Sequence, residues 1–256
     1  YHSILQCDPS IDIIYGNIHI CDQNYHPTDS SLTYENFGIS PELFVSKAFH
    51  GSPIPNMGTL VRKMVYLRNG GFKADFHRAH DYEFWTRAWK GSRFYYLNET
   101  VGYWQWHDSN MSSGSVKIDY TYDARIIASL LENYSLQELF PELEWDSEQP
   151  VIAYANAYFQ IGKRYLGIQY FHDALKYLSM AYQITYSPDL KNLILQILQL
   201  ESDTSKPVPT GGLNILFIVH NFPPFSNAGT ENYTYNLAQI LAELGNSVTV
   251  LYKDFT

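Results

Sequence analysis

The chain has 256 residues, room for one large domain or two small ones. Its formal net charge of −9 argues against a nucleic-acid partner, which calls for a basic patch. No run reaches about 18 apolar residues, the length that spans a bilayer. The aromatic share is high, 16% with 22 tyrosines. An apolar ring with a polar tip suits sugar-binding clefts as well as cores.

In chain order, residues 1 to 8 read as a helix end closed by Asp8-Pro9, since proline disfavours helix at the residue before it. Ile11 to Cys21, rich in Ile and Tyr with Gly16 inside it, reads as one strand or two linked strands. Gln23 to Ser31 is polar and holds a proline, hence a turn. A short helix is expected over Pro41 to Phe49, a proline-bracketed loop over Ser52 to Pro55 and a strand over Met57 to Arg62. Lys63 to Asn69 reads as a helix ended by Gly70-Gly71.

The run Ala79-His80-Asp81-Tyr82-Glu83-Phe84-Trp85-Thr86-Arg87 has helical spacing, with Phe84, Trp85 and Ala88 on or beside the face below Asp81. Asp81 falls in the first turn, where the helix dipole favours a carboxylate. Such an acid is either a helix-capping aspartate or a positioned general base. Glu83, two residues on, points away from Asp81 and reads as a solvated or structural charge. Short strands follow over Phe94 to Leu97 and Val101 to Trp106, then His107-Asp108 and Asn110-Met111-Ser112. Mixed short strands and helices of this kind indicate an α/β fold.

Four blocks in this order, Gly70-Gly71-Phe72, His80-Asp81, Tyr82-Glu83-Phe84-Trp85 and His107 near Asn110-x-Ser112, resemble the C-terminal half of family-2 glycosyltransferases. Those are inverting sugar-nucleotide enzymes of the GT-A fold. The resemblance covers about residues 1 to 115. It implies that Asp81 is the catalytic base and that His107 helps to bind a metal–diphosphate, with Mg²⁺ or Mn²⁺ as the cofactor. The family's metal-binding Asp-x-Asp pair and its nucleotide-binding strands are expected before residue 1.

From Ile118 the composition turns helical. Tyr120 to Tyr134 reads as a helix, and Pro141 and Pro150 bracket a linker. Tyr158, Gly162, Tyr165, Phe171, Ala174, Leu178, Ala181 and Pro188 resemble one tetratricopeptide unit, in which small residues let two antiparallel helices pack closely. Such arrays need about three repeats, so a single unit reads as a packed connector over residues 116 to 200. Leu190 to Leu200 adds an apolar helix, and Glu201 to Gly212 reads as a linker.

Leu213 to His220 has the continuous apolar run of a buried parallel strand. Pro223-Pro224 and Ala228-Gly229-Thr230 form a loop, Glu231 to Leu244 an amphipathic helix and Ser247 to Tyr252 a second strand. A glycine at a helix N-terminus can hold a phosphate, though the same turn often serves only as a tight connection. The string from Pro223-Pro224 through Gly229-Thr230-Glu231-Asn232-Tyr233 to Val248-Thr249-Val250 resembles the amino terminus of family-4 GT-B glycosyltransferases. That resemblance implies a βαβ opening of a Rossmann-like domain, with Gly229 and Thr230 as substrate-binding residues near the donor phosphates.

Together these resemblances imply an internal piece of a multidomain glycosyltransferase. It would join the back half of a GT-A domain (1–115), a helical connector (116–200), a linker (201–212) and the start of a GT-B domain (213–256), and is expected to be inactive alone. The implied donor is a nucleotide-diphosphate sugar, and the acceptor a glycan, lipid-linked or protein hydroxyl. Two alternatives stay open. His77-x-x-His80-Asp81 has the spacing of a metal site, and the whole chain also reads as a non-catalytic carbohydrate-binding or scaffold protein with a degenerate transferase fold. Trp85, Trp104 and Trp106 are candidates for sugar stacking or for the core. Cys7 and Cys21 are expected buried and free, in a reducing cytoplasm or at the inner face of a membrane.

Overall fold

The computed structural model describes residues 1–107, 110, 118–204, 214–219, 229–243 and 245–252. They form two compact units, Tyr1–Pro141 and Glu142–Thr256, of mixed helix and sheet.

In the first unit, α1 (His2–Cys7) stops at Asp8, whose extended backbone leads into Pro9. β1 (Ile13–Cys21) is a single strand at the centre of a four-stranded sheet. Ile13, Ile14 and Tyr15 are consecutive and all buried, so both faces of the sheet are covered there. β2 (Pro27–Leu32) and β3 (Leu60–Val61) pair antiparallel with one edge of β1, while β4 (Phe94–Gln105) runs parallel along the other.

Three of these strands differ from the sequence reading. The polar stretch expected as a turn is β2, an exposed edge strand whose proline is its first residue, where no ladder hydrogen bond is lost. The strand expected over Met57 to Arg62 is reduced to Leu60–Val61. The two strands expected on either side of Asn98 are one, β4, because β1 continues to pair across a register shift opposite Gly16 and Asn17.

α2 (Leu43–His50), α3 (Lys63–Asn69), α4 (His80–Ala88), α5 (Thr121–Asn133) and α6 (Leu136–Leu139) complete the unit. Aromatic side chains dominate its core. Phe44 of α2 stacks on Phe94 at 5.2 Å and on Trp89 at 5.6 Å, and Phe49 meets Phe140 edge-on at 5.0 Å. Gly70 ends α3 in the left-handed region (φ 75°), its N–H donating to the Tyr66 carbonyl. Cys21 is buried as expected, but Cys7 is exposed, since α1 buries none of its residues.

In the second unit, α7 (Pro150–Gly167) starts with proline at its first position, where no intrahelical N–H is needed. It packs along α8 (Phe171–Thr185), as the tetratricopeptide-like spacing predicts for a helix pair. α9 (Pro188–Thr204) runs into the stretch read as linker, and buries Leu190, Ile194 and Ile197 on one face. β5 (Asn214–Val219) and β6 (Ser247–Tyr252) pair in parallel, joined through α10 (Gly229–Glu243) as the βαβ reading predicts. Ile240 of α10 joins Leu178, Ala181, Leu190, Ile194 and Ile197 in one cluster. Leu216 and Leu251 remain 57% exposed on the sheet. Among the described residues, no helix is long and apolar enough to cross a membrane.

Candidate active site

Helix α4 begins abruptly. Ala79 adopts the left-handed conformation (φ 55°), which costs a residue with a Cβ about 1–2 kcal/mol. That turn starts the helix at His80 and puts Asp81 in its first turn. There the dipole stabilises a carboxylate by about 0.3–1 kcal/mol. Three neighbours fix the position. The Tyr82 hydroxyl donates to the Ala48 carbonyl in α2, and Phe84 and Trp85 are fully buried. One carboxylate oxygen of Asp81 accepts the Tyr82 N–H at 2.9 Å, and the side chain stays half-buried.

Asp81 opens into a cleft of about 420 Å³ whose walls include Tyr34, Met57, His80 and Trp104. Burial pushes the Tyr34 phenol up to about 12, and the charge of Asp81 adds to the rise. Its O–H is therefore a donor throughout the physiological range. Arg78 also lines the cleft, donating to Asp123 at 2.5 Å and to the Asp119 carbonyl at 3.1 Å. Sequence reasoning did not find Tyr34 or the Arg78–Asp123 pair. Tyr34 lies in an irregular segment without periodicity, and the pair joins residues far apart in the chain.

The three tryptophans separate. Trp85 is core, Trp104 lines the cleft, and Trp106 is 40% exposed with its ring edge-on to Trp104 at 5.1 Å. Glu83 is not a solvated charge. It is buried, with Arg87 on both carboxylate oxygens and Lys73 at 2.8 Å. Arg87 also donates to the Asn69 and Gly71 carbonyls, so the Gly-Gly turn is tied to α4. Phe72, next in the chain, packs edge-on against His80 and Phe84, each at 5.2 Å.

His107 follows β4, where Asn110 accepts its backbone N–H and donates to the Gln105 carbonyl, each at 3.0 Å. It is not among the residues lining the Asp81 cleft. Asp108 and Ser112 lie outside the described residues. His77 and His80 both line the cleft, yet among the described residues no three His, Cys, Asp or Glu side chains gather as a metal site. Mg²⁺ takes oxygen ligands, and a lone imidazole at His107 does not supply them. The described donors do not by themselves make up the expected Mg²⁺ or Mn²⁺ site, whose Asp-x-Asp carboxylates the resemblance puts before residue 1.

In the second unit, Gly229 and Thr230 form the first residues of α10. The loop before them, including Pro223 and Pro224, lies outside the described residues. No family model, curated protein or solved structure matches the chain.

Proposed function

We propose that the first unit carries the acceptor side of an inverting glycosyltransferase that uses a nucleotide-diphosphate sugar, with Asp81 as general base. The observation that supports this most is the placement of Asp81. Its carboxylate sits in the first turn of a firmly anchored helix and faces an open cleft walled by Trp104 and Tyr34. An aromatic wall suits the apolar face of a sugar ring, and the Tyr34 O–H can donate to a sugar oxygen.

In this reaction Asp81 takes the proton of an acceptor hydroxyl while that oxygen attacks the anomeric carbon. The bond from that carbon to the diphosphate oxygen breaks, the diphosphate leaves with the electron pair, and configuration inverts. Alignment of base and acceptor supplies much of the rate. In the same reading, α7 and α8 form a tetratricopeptide-like connector, and β5–α10–β6 opens a GT-B domain with Gly229 and Thr230 near donor phosphates. A cytoplasmic site of action, facing a lipid-linked or glycan acceptor, belongs to this proposal as well.

The test uses the natural polypeptide that carries this sequence, assayed with a panel of nucleotide sugars and Mn²⁺. Asp81→Asn is expected to lower turnover at least about a hundredfold, with donor affinity largely intact. Near-normal turnover in that variant would remove Asp81 as the base. Glycan binding without any Asp81-dependent transfer would favour the non-catalytic carbohydrate-binding reading.

A further inference from the structure

Beside the Asp81 cleft lies a second hollow of about 460 Å³, lined by Thr33, Glu35 and Lys47 among others. The two share Tyr34, Gly51 and Ser52 as a common wall. Each falls separately within the about 300–1,000 Å³ typical of ligand sites. The mechanism uses only the first.

We propose that the acceptor is a neutral glycan of at least two sugar units, laid across Tyr34, with its reacting unit beside Asp81 and its next unit in the hollow of Glu35 and Lys47. This rests on the transferase reading and specifies its acceptor.

Three observations carry it. The second hollow sets apolar surface from Tyr34, Phe37 and Pro53 beside groups that can meet hydroxyls, a mix suited to a sugar ring. Lys47 and Glu35 form an ion pair at 2.8 Å with both side chains about half exposed, and so present N–H donors and carboxylate acceptors side by side. Apart from Asp81, the fixed charges of the groove are also matched. Lys47 is paired with Glu35 and Arg78 with Asp123, while no cation is paired with Asp81 among the described residues. A uronic acid or phosphate-bearing unit would meet the Asp81 carboxylate with no spare fixed cation to offset it; a neutral sugar meets no such cost. Finally, the Tyr34 hydroxyl makes no hydrogen bond among the described residues, although the side chain stands at the junction of both hollows. A donor at that junction suits the oxygen-rich linkage between two sugars.

Gly51 offers a direct way to block the passage. A Cβ added there meets nothing within 4 Å, and its backbone is extended (φ 164°), so a side chain can start there without a clash at Cβ.

The experiment is calorimetric titration of the 256-residue chain with matched monomer, dimer and trimer ladders of glucose, N-acetylglucosamine, galactose and mannose, plus an oligogalacturonate ladder. In at least one neutral ladder the dimer is expected to bind about tenfold or more tighter than its monomer. Gly51→Trp and Lys47→Ala are each expected to bring the dimer-to-monomer ratio close to one, with melting temperature as the folding control. A general structural fault lowers both affinities together and leaves the ratio unchanged. Equal binding of monomer and dimer, absence of binding in every neutral ladder, tighter binding of the galacturonates, or an unaltered ratio in Gly51→Trp with a wild-type melting temperature would each overturn the proposal. Asp81→Asn should keep the length preference, so failure of the base assignment shows in the turnover assay and failure of the two-unit acceptor shows here.

Discussion

Arg87 grips Glu83 one helical turn away, with Nε to Oε1 at 2.6 Å and Nη2 to Oε2 at 2.8 Å. The same guanidinium reaches the carbonyls of Asn69 and Gly71. A pair inside α4 thereby fixes the turn after α3 and, through Phe72, the ring of His80 at the cleft.

Glu83 is the buried member of this pair, while Arg87 is part-exposed. Removing Arg87 leaves that buried carboxylate with Lys73 as its cation, so Arg87→Ala should cost about 3 kcal/mol, measured by denaturant unfolding. Glu83→Gln should cost less, because the amide oxygen still accepts from Arg87. Burial alone would push the Glu83 carboxyl up, but hydrogen bonds from Arg87 and Lys73 outweigh it and hold it below its usual value. A lowered folded-state value means that the pair stabilises above the unfolded carboxyl value, near 4.5. That contribution is lost as pH falls through the lower folded value. Unfolding curves of wild type and Glu83→Gln are expected to converge across that acidic window.

Gly58 lies under β4 in the left-handed region (φ 68°), where an added Cβ would stand 2.4 Å from the Val101 carbonyl oxygen. Gly58→Ala is expected to destabilise the first unit by more than about 1 kcal/mol, from backbone strain and from the clash together. Neighbouring Met57 walls the cleft, so glycan binding should weaken in parallel. Unchanged stability would show that the segment shifts away freely.

Close helix packing in the second unit depends on Gly162, whose Cβ would fall 2.6 Å from Leu178 Cγ. Gly162→Ala gains helix propensity but overpacks this contact. The net effect expected is destabilisation by about 1–2 kcal/mol, smaller when combined with Leu178→Ala. A double-mutant cycle of thermal melts reads that coupling.

His107 is expected to matter for ligand binding more than for folding, since its backbone rather than its ring closes the turn with Asn110. His107→Ala should leave the melting temperature within about 2 °C while weakening Mn²⁺-dependent nucleotide binding in the natural polypeptide. An unaltered metal titration would make the ring structural.

The start of α4 is legible in the sequence because Asp81, Phe84, Trp85 and Ala88 obey a helical period and the buried face follows from it. β2 is not, because an edge strand with solvent on its side chains needs no apolar alternation; its ladder with β1 is what makes it a strand. Tyr34 sits outside any periodic element, and only the folded chain brings it to Asp81. Glu83 does carry a local signal, the four-residue spacing to Arg87. What the sequence lacks is the burial that turns a surface pair into an anchor.

The two-sided pairing of β1 sets an order in which the molecule opens. Amides of Ile13, Ile14 and Ile18 lie in a strand held by β4 on one side and by β2 or β3 on the other. Such amides exchange with solvent only when the whole unit unfolds, whereas those on an outer strand exchange through smaller openings. The cleft takes Ile18 from the doubly paired strand β1, but Trp104 from the outer strand β4, Leu32 from the edge strand β2 and Asn56 from an irregular segment. Transient parting of the β2 side can thus widen the cleft while β1 keeps its register. Deuterium uptake should accordingly fall at β2 on ligand binding and stay level along β1.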